Sequence, residues 1–256
     1  MAETLRLENV ALAFGGLQVL KNVTFEAHAG ELLCLIGPNG AGKTSVLNCI
    51  CGIYQPGTGT ISFGDQTLTR EAPHRIARLG IARTFQHGEL FAHLSVLENL
   101  LVARHARIQT SLLAEGLRLP GVRLAESDHR AAVERVLDFT DLERWRHEHV
   151  GALPFGLQKI VGFARALAME PRVLLLDEPS AGLNRDEREN LARYILRIKH
   201  ELGIAMVWVE HDMQMVADLA DRLYVLDHGE PIAEGNTADV LANPKVIAAY
   251  LGQPAS

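Results

Sequence analysis

The run GPNGAGKT, at residues 37–44, combines glycines, a lysine and a threonine at a spacing suited to binding phosphate groups. Glycines let the backbone turn tightly, so that several N–H groups converge on one anion. Lys43 has the reach to contact the β- and γ-phosphates of a nucleotide, and the hydroxyl of Thr44 is a suitable ligand for Mg²⁺. The pattern predicts a phosphate-binding loop, with a chance match in a glycine-rich turn as the alternative. The residues predicted to line this loop are Gly37, Pro38, Asn39, Gly40, Ala41, Gly42, Lys43, Thr44 and Ser45.

A second chemical feature is the acidic pair Asp177 and Glu178, which follows the apolar run VLLL. Ligands of open α/β sheets bind at the carboxyl ends of the strands, so this pair should face the phosphate loop. Asp177 is suited to holding Mg²⁺ through water, and Glu178 is suited to polarising the water that attacks the γ-phosphate. A helix cap or a surface turn would also explain two acids. The phosphate loop in the same chain favours the catalytic interpretation.

Both features require strands that end at one edge of a sheet. ELLCLIG is a continuous apolar run that leads into the loop, and KTSVLNCICGI then predicts a helix. Further along, the apolar runs RVLLLD, IAMVWVE and RLYVLD alternate with helical patterns. Strands that alternate with helices predict right-handed crossovers and a largely parallel sheet. The predicted fold class is therefore α/β.

Two other regions break this alternation. Near the amino terminus, TLRLENVALAF and QVLKNVTFEA show period-two patterning, which predicts half-buried strands joined by a turn at Gly15-Gly16. From about residue 89 onward the pattern is mostly helical. We therefore predict one domain over the whole chain, with an α/β core from 1–88 and 160–256 and an inserted helical lobe from 89–159.

Composition limits the possible functions. The chain has 256 residues, 48% apolar and 22% charged, with a formal net charge of −6. This acidic balance disfavours a nucleic-acid binder, which would normally carry a basic excess. No signal peptide is evident, and the longest apolar runs are far shorter than a membrane span. We expect a cytosolic chain whose membrane role requires partners. Cys34, Cys49 and Cys51 are predicted to be buried thiols rather than a disulfide framework.

These motifs occur in the order typical of the ATP-binding subunits of ABC transporters, a family that the chain resembles over essentially its whole length. The ordered set is the phosphate loop, TFQ, LPFGLQ, LLLDEP, SAGLN and WVEHD. RTFQHGELFAHLSVLENLL and the tail GEPIAEGNTADVLANPKVIAAYLG resemble, more narrowly, the ATPases of branched-chain amino-acid uptake systems. The resemblance implies a P-loop NTPase fold: an ABC ATPase core with an antiparallel β subdomain and an inserted helical subdomain. It also implies that ATP and Mg²⁺ bind, and that ATP hydrolysis drives transport across a membrane.

The resemblance assigns roles to further residues. Phe14 would stack on the adenine ring, although a core aromatic is the alternative interpretation. Gln86 would contact Mg²⁺, the attacking water and the membrane subunit. His211 would contact the γ-phosphate and form the catalytic set with Glu178 and Gln86. Residues 180–184 would cross to a partner ATPase.

LPFGLQ, at residues 153–158, departs from the family, in which this position usually reads Leu-Ser-Gly-Gly-Gln and faces the γ-phosphate bound by the other subunit. Pro154 replaces the serine, Phe155 the first glycine and Leu157 the glutamine. The missing hydroxyl removes one hydrogen bond to a charged group, worth about 1.5–3 kcal/mol. The N–H groups of Phe155, Gly156 and Leu157 remain, with the positive end of the following helix. We expect a weaker site on the partner and an undamaged site on this chain, with a plain helix cap as the alternative interpretation.

The resemblance also implies partners. They are a second ATPase subunit, two transmembrane permease subunits and, indirectly, a substrate-binding protein, without nucleic acid. The ATPase subunits would dimerise when ATP is bound, peripherally at the cytoplasmic face of the membrane. Our hypothesis is that the second ATPase is a different chain, with a homodimer as the alternative. Residues 83–100 would lie under a coupling helix of the permease.

The expected cargo is a branched-chain or other hydrophobic amino acid, again by resemblance. Related importers of urea, amides or aromatic acids are the alternative. A non-transport ATPase of the same superfamily is disfavoured, because the chain has no long heptads, no paired cysteine ligands and no second ATPase core.

Overall fold

A computed structural model describes residues 4–84, 90–104 and 120–251 of the chain. The strands are β1 Leu5–Phe14, β2 Leu17–Ala27, β3 Leu32–Ile36, β4 Thr58–Phe63, β5 Gln66–Thr67, β6 Ile81–Thr84, β7 Val173–Asp177, β8 Ala205–Val209, β9 Arg222–Asp227 and β10 Glu230–Asn236. The helices are α1 Lys43–Ile50, α2 Pro73–Arg78, α3 Val96–Arg104, α4 Pro120–Phe139, α5 Phe155–Ala168, α6 Arg185–Arg197, α7 Met213–Leu219, α8 Thr237–Leu241 and α9 Pro244–Leu251.

The larger sheet has the strand order β10-β9-β3-β8-β7-β6, and only its edge strand β10 is antiparallel to its neighbour. Every residue of β3, β7 and β8 is buried, as expected for strands covered on both faces. The prediction of a largely parallel sheet is confirmed. Because parallel strands share one carboxyl edge, the phosphate loop, Asp177 and Glu210 follow their strands on the same side of the sheet.

The smaller sheet is antiparallel, in the order β2-β1-β4-β5. β1 and β2 form a hairpin that closes with Phe14 opposite Leu17. Gly15 and Gly16 make its turn with φ angles of 52° and 88°, a left-handed conformation that favours glycine. This is the turn predicted from the sequence, and the sheet provides the predicted antiparallel β subdomain.

Two buried clusters lie on opposite faces of the parallel sheet, and β3 contributes to both. Cys34 faces a cluster that includes Val161 of α5. Leu33 faces a second cluster that includes Leu7 of β1 and Val46 of α1. The parallel sheet is therefore packed between helices on one face and the antiparallel sheet with α1 on the other.

The helices α3, α4 and α5 contact one another and form the helical part of the chain. Val96, Leu100, Val133, Leu137 and Val161 are fully buried among them. α5 crosses the predicted boundary at residue 159, and the division into a core and a helical lobe remains a prediction. Across the described ranges, no helix combines the length and the apolar character needed to cross a bilayer.

The cysteines sit on β3 and around α1. Cys34 and Cys49 are buried, and Cys51 is half-buried because it lies at the end of α1. Burial raises the pKa of Cys49 to about 12, so this thiol stays protonated at neutral pH. The prediction of buried thiols is confirmed for Cys34 and Cys49.

Candidate functional site

The phosphate loop connects the end of β3 to α1, and its backbone depends on glycine. Gly37 has a φ of 148°, and a Cβ there would lie 2.0 Å from the carbonyl oxygen of Leu226, so no other residue fits. Gly42 precedes α1 with a φ of 100°. Asn39 and Thr44 are exposed. The predicted phosphate-contacting run therefore connects β3 to α1 in one turn, and the amino-terminal end of α1, which favours anions, borders the loop.

Lys43 lies inside this loop and is only 5% exposed. Its ammonium group donates hydrogen bonds to the carbonyl oxygens of Gly37 at 2.7 Å and Pro38 at 2.9 Å. Burial lowers the pKa of Lys43, while the negative charges of Glu178 and Asp177 act in the opposite direction. The structure thus brings the lysine and both acids of the sequence prediction into one electrostatic environment.

Asp177 ends β7 and is 3% exposed. Its Oδ2 accepts a hydrogen bond from Arg83 at 2.6 Å, whereas its Oδ1 is buried and has no hydrogen-bond partner among the described residues. A buried carboxylate oxygen without a partner is unfavourable, and a hard cation or its water ligand would satisfy it. Mg²⁺ commonly uses one or two carboxylates together with substrate phosphates, so Asp177 fits the predicted ion.

No role for Arg83, on β6, was predicted from the sequence. Its guanidinium bridges Asp177 to the side-chain oxygen of Asn48 on α1, at 2.6 Å on each side. The side chains of Arg83 and Asp177 are 7% and 2% exposed, so this is a buried ion pair. The sequence feature that could have indicated this role is a charged residue inside the short strand IART, because a buried charge needs a partner. Arg83 therefore joins β6, β7 and the helix that follows the phosphate loop.

Glu178 and His211 form a direct contact, with 2.9 Å between Oε1 of Glu178 and Nε2 of His211. Glu178 adopts a φ of 46°, which is rare for a residue with a side chain and costs on the order of 1 kcal/mol. Its N–H donates to the carbonyl oxygen of Val209 at 2.9 Å, which fixes this turn against β8. The structure therefore brings together two residues that the sequence predicted to share catalysis, although they lie on different loops.

Glu210, next to His211, is a further acid that the sequence did not single out. It is 2% exposed, and its Oε1 accepts hydrogen bonds from the hydroxyl of Ser180 at 2.7 Å and the N–H of His211 at 3.0 Å. Arg188, on α6 just after the SAGLN loop (180–184), also donates to Asp212 at 2.8 Å. The histidine loop, residues 210–212, is thus fixed to the SAGLN loop by one polar contact and to α6 by another.

LPFGLQ forms the start of α5, with Pro154 at the cap position. Phe155 is 50% exposed, and the ammonium of Lys159 lies 5.7 Å from its ring centroid. A Cβ on Gly156 would lie 1.8 Å from Oε1 of Glu187, so glycine suits this close approach. The segment is a helix start, as the simpler interpretation proposed. In its first turn the ring of Phe155 is half-exposed, whereas Gly156 is buried against Glu187, and a partner-facing role for both remains a prediction.

Phe14 is 47% exposed and makes an edge-on contact with Tyr54, with 5.1 Å between the ring centroids. An aromatic in the core would be buried, so the alternative interpretation of Phe14 is wrong. Its role in stacking on adenine remains a prediction. Gln86 lies outside the described residues, and its role likewise remains a prediction.

A phosphate loop beside an acidic pair and a histidine, on a parallel sheet packed between an antiparallel sheet and helices, defines an ATP-binding cassette. Residues 20–181 match the protein family described as ABC transporter. Residues 230–256 match the family described as branched-chain amino acid ATP-binding cassette transporter. The chain belongs to the ABC transporter family, as its motifs predicted.

Individual relatives extend the match over nearly the whole chain. The chain is 39% identical over 249 residues to the high-affinity branched-chain amino acid transport ATP-binding protein LivG of Escherichia coli (strain K12), covering 97% of this chain and 98% of LivG. It is 36% identical over 249 residues to BraF of Pseudomonas aeruginosa, a protein of the same description, with the same coverage. A crystal structure of the ADP conformation of an ATP-binding cassette from an ABC transporter matches with a TM-score of 0.84 at 30% identity, covering 98% of this chain and 99% of that one.

Proposed function

We propose that this chain is the ATP-hydrolysing subunit of an importer for branched-chain or other hydrophobic amino acids. Similarity to LivG and BraF, both named for branched-chain amino acid transport, supports this cargo. The observation that carries the hydrolytic role is the contact between Glu178 and His211, at the sheet edge that also holds Lys43. Catalytic acids, bases and phosphate-binding groups converge at such edges in α/β proteins.

Hydrolysis of ATP at this site relies on positioning and charge. Glu178 acts as the base that polarises the attacking water. His211 holds the carboxylate of Glu178 in place and contacts the γ-phosphate. Lys43 stabilises the charge that develops on the transferred phosphoryl group. These roles agree with the depressed pKa of Lys43, whose buried ammonium is sensitive to an incoming anion.

The proposed Mg²⁺ ligands are Thr44, Asp177 and Gln86. Mg²⁺ held by these residues would neutralise negative charge on the phosphates. Asp177 is prepared for this by Arg83, which occupies one carboxylate oxygen and leaves Oδ1 without a partner in the described structure. Phe14 is proposed to stack on the adenine ring.

The partner-facing residues are Phe155 and Gly156, at the amino-terminal end of α5. We propose that they face the γ-phosphate held by a second, different ATPase chain, and that the two ATPases close when ATP is bound. The assembly includes two transmembrane permease subunits and works at the cytoplasmic face of the membrane, with a substrate-binding protein supplying the amino acid. The missing serine hydroxyl weakens only the site that this chain completes on its partner.

Hydrolysis is tested with Glu178→Gln in the chain assembled with its transporter partners. ATP turnover should fall by about 10²–10⁴-fold, the range for loss of a general base, while ATP affinity is retained. Glu189→Gln is the matched control, because Glu189 is an exposed acid on α6 that pairs with Arg185. Equal turnover in Glu178→Gln and Glu189→Gln would contradict the catalytic role.

Cargo and pairing need separate measurements. Cells that lack this chain should lose uptake of labelled leucine, isoleucine and valine, and the wild-type gene should restore it where the Glu178→Gln gene does not. Retained leucine uptake with loss of urea, amide or aromatic-acid uptake would favour one of those alternative cargoes.

Pairing is tested by the solution mass of the Glu178→Gln chain. With ATP alone the mass should remain that of a monomer, and it should rise to that of a dimer only when a second ATPase chain is added. A shift to dimer without that chain would favour a homodimer.

A further inference from the structure

Two contacts from the carboxyl-terminal part of the chain reach the phosphate loop. The hydroxyl of Tyr250, on α9, accepts a hydrogen bond from the N–H of Gly37 at 2.6 Å. The N–H of Gly229, in the turn between β9 and β10, donates to the carbonyl oxygen of Ala41 at 3.1 Å. These contacts hold the loop near its beginning and near its end. No role in binding nucleotide was assigned to either residue from the sequence.

The N–H of Gly37 needs such an acceptor because of its position. Gly37 is buried, and the ladder between β3 and β9 has its last pair at Ile36 and Val225. The backbone of Gly37 also lies against the carbonyl group of Leu226 too closely for any side chain. Buried N–H groups are almost always paired. The hydroxyl of Tyr250 supplies that partner at the first residue of the phosphate loop.

Tyr250 is well placed to hold this contact. α9 is anchored in the core by Val246, which is 3% exposed. Although 39% of Tyr250 is exposed, burial at its hydroxyl end raises the pKa of Tyr250 to about 12. The hydroxyl therefore remains neutral at physiological pH, and it accepts from Gly37 without bringing a negative charge to a loop that binds phosphate.

We propose that Tyr250 is a positioning residue for nucleotide binding, which fixes the first amide of the phosphate loop from α9. The proposal rests on the proposed function in one respect, namely that a nucleotide binds this loop. Its physical basis is preorganisation. When Gly37 is fixed, the N–H groups that follow it are already oriented toward one anion, and binding does not have to order them.

The test compares Tyr250→Phe with a matched control, Tyr224→Phe. The hydroxyl of Tyr224 also accepts a backbone N–H, from Thr24 at 3.0 Å, but it joins β9 to β2 rather than to the phosphate loop. Each substitution removes one hydroxyl and leaves the ring. Isothermal titration with ADP gives Kd, and thermal unfolding without nucleotide gives Tm. We expect Tyr250→Phe to bind ADP about 5-fold more weakly and Tyr224→Phe to lower Tm with Kd unchanged.

Amide hydrogen exchange gives an independent readout. In Tyr250→Phe the amide of Gly37 should exchange faster than in the wild type, whereas Tyr224→Phe should leave it protected. Wild-type affinity in Tyr250→Phe, tighter binding, or equal weakening in both variants would overturn the proposal. Failure of the wild-type chain to bind ADP would overturn the proposed function as well. If the wild type binds ADP and Tyr250→Phe binds it equally well, only the role of Tyr250 is overturned.

Discussion

Replacing Arg83 with methionine should destabilise the chain far more than removing an exposed arginine. A guanidinium nitrogen of Arg83 lies 2.6 Å from Oδ2 of Asp177, and the two side chains are 7% and 2% exposed. Two unit charges about 4 Å apart interact by about 4 kcal/mol at an effective dielectric constant of about 20. Removing one partner of a buried pair costs about 3–5 kcal/mol, because the other charge is left uncompensated. We therefore expect Arg83→Met to lose about 3–5 kcal/mol of unfolding free energy.

Urea denaturation measures this loss, with Arg75→Met as the matched control. Arg75, on α2, pairs at 3.4 Å with Glu71, which precedes that helix, and the two side chains are 66% and 36% exposed. Such an exposed pair is worth about 0.2–1 kcal/mol. The double variant Arg83→Met/Asp177→Asn should recover part of the loss, because no buried charge remains unpaired. Equal losses in Arg83→Met and Arg75→Met, or a double variant no more stable than Arg83→Met, would mean that Arg83 does not compensate a buried charge on Asp177.

Three further predictions concern the loops around the site. Burial lowers the folded-state pKa of Lys43 below its ordinary 10.5, so the buried charge opposes folding at neutral pH and this effect disappears as pH rises through the folded-state pKa. Unfolding free energy should therefore rise more steeply with pH in the wild type than in Lys43→Met as pH approaches the ordinary lysine value of 10.5 from below, in a series of thermal melts. Gly156→Ala should lose about 1 kcal/mol, because its Cβ would displace the carboxylate of Glu187 that caps α6. Urea denaturation of Gly156→Ala/Glu187→Ala should then show less than the sum of the single losses. Pro154→Ser, in the Glu178→Gln background, should tighten ATP-dependent association with the partner ATPase by about 10-fold in sedimentation, and unchanged association would mean that the hydroxyl does not reach phosphate.

The phosphate loop and the acidic pair could be predicted because each is a local pattern. GPNGAGKT is contiguous, and its glycines carry the backbone requirement that the structure shows at Gly37. The apolar runs that became β3 and β7 are buried at every residue, as a strand covered on both faces must be. Alternation of strands with helices then restricts the topology to a parallel sheet, so the acidic pair had to meet the loop at one edge.

The contacts that arrange these parts join residues far apart in the sequence. Arg83 and Asp177 are separated by 94 positions, and Gly37 and Tyr250 by 213. Arg83 and Glu210 are charged residues in or next to apolar strand segments. This setting indicates that each has a partner of opposite charge or a hydrogen-bond partner, but it does not identify that partner. The partner depends on strand order, and periodicity does not give strand order. Nothing in the local pattern of α9 distinguishes Tyr250 from an ordinary surface aromatic.

LPFGLQ, the segment that departs most from the family pattern, packs against the SAGLN loop of its own chain. Gly182 has a φ of 78°, which favours glycine, and a Cβ there would lie 2.9 Å from Cε1 of Phe155, so the half-exposed ring would have to shift. With the family's usual glycine at position 155, this contact would be absent. Through Ser180 and its 2.7 Å bond to Glu210, the SAGLN loop is also fixed to the histidine loop. The aromatic ring therefore contributes an intrachain contact where the family carries a glycine. The first turn of α5 is thus a helix start that also makes this intrachain contact, and its place opposite a partner's γ-phosphate remains a prediction.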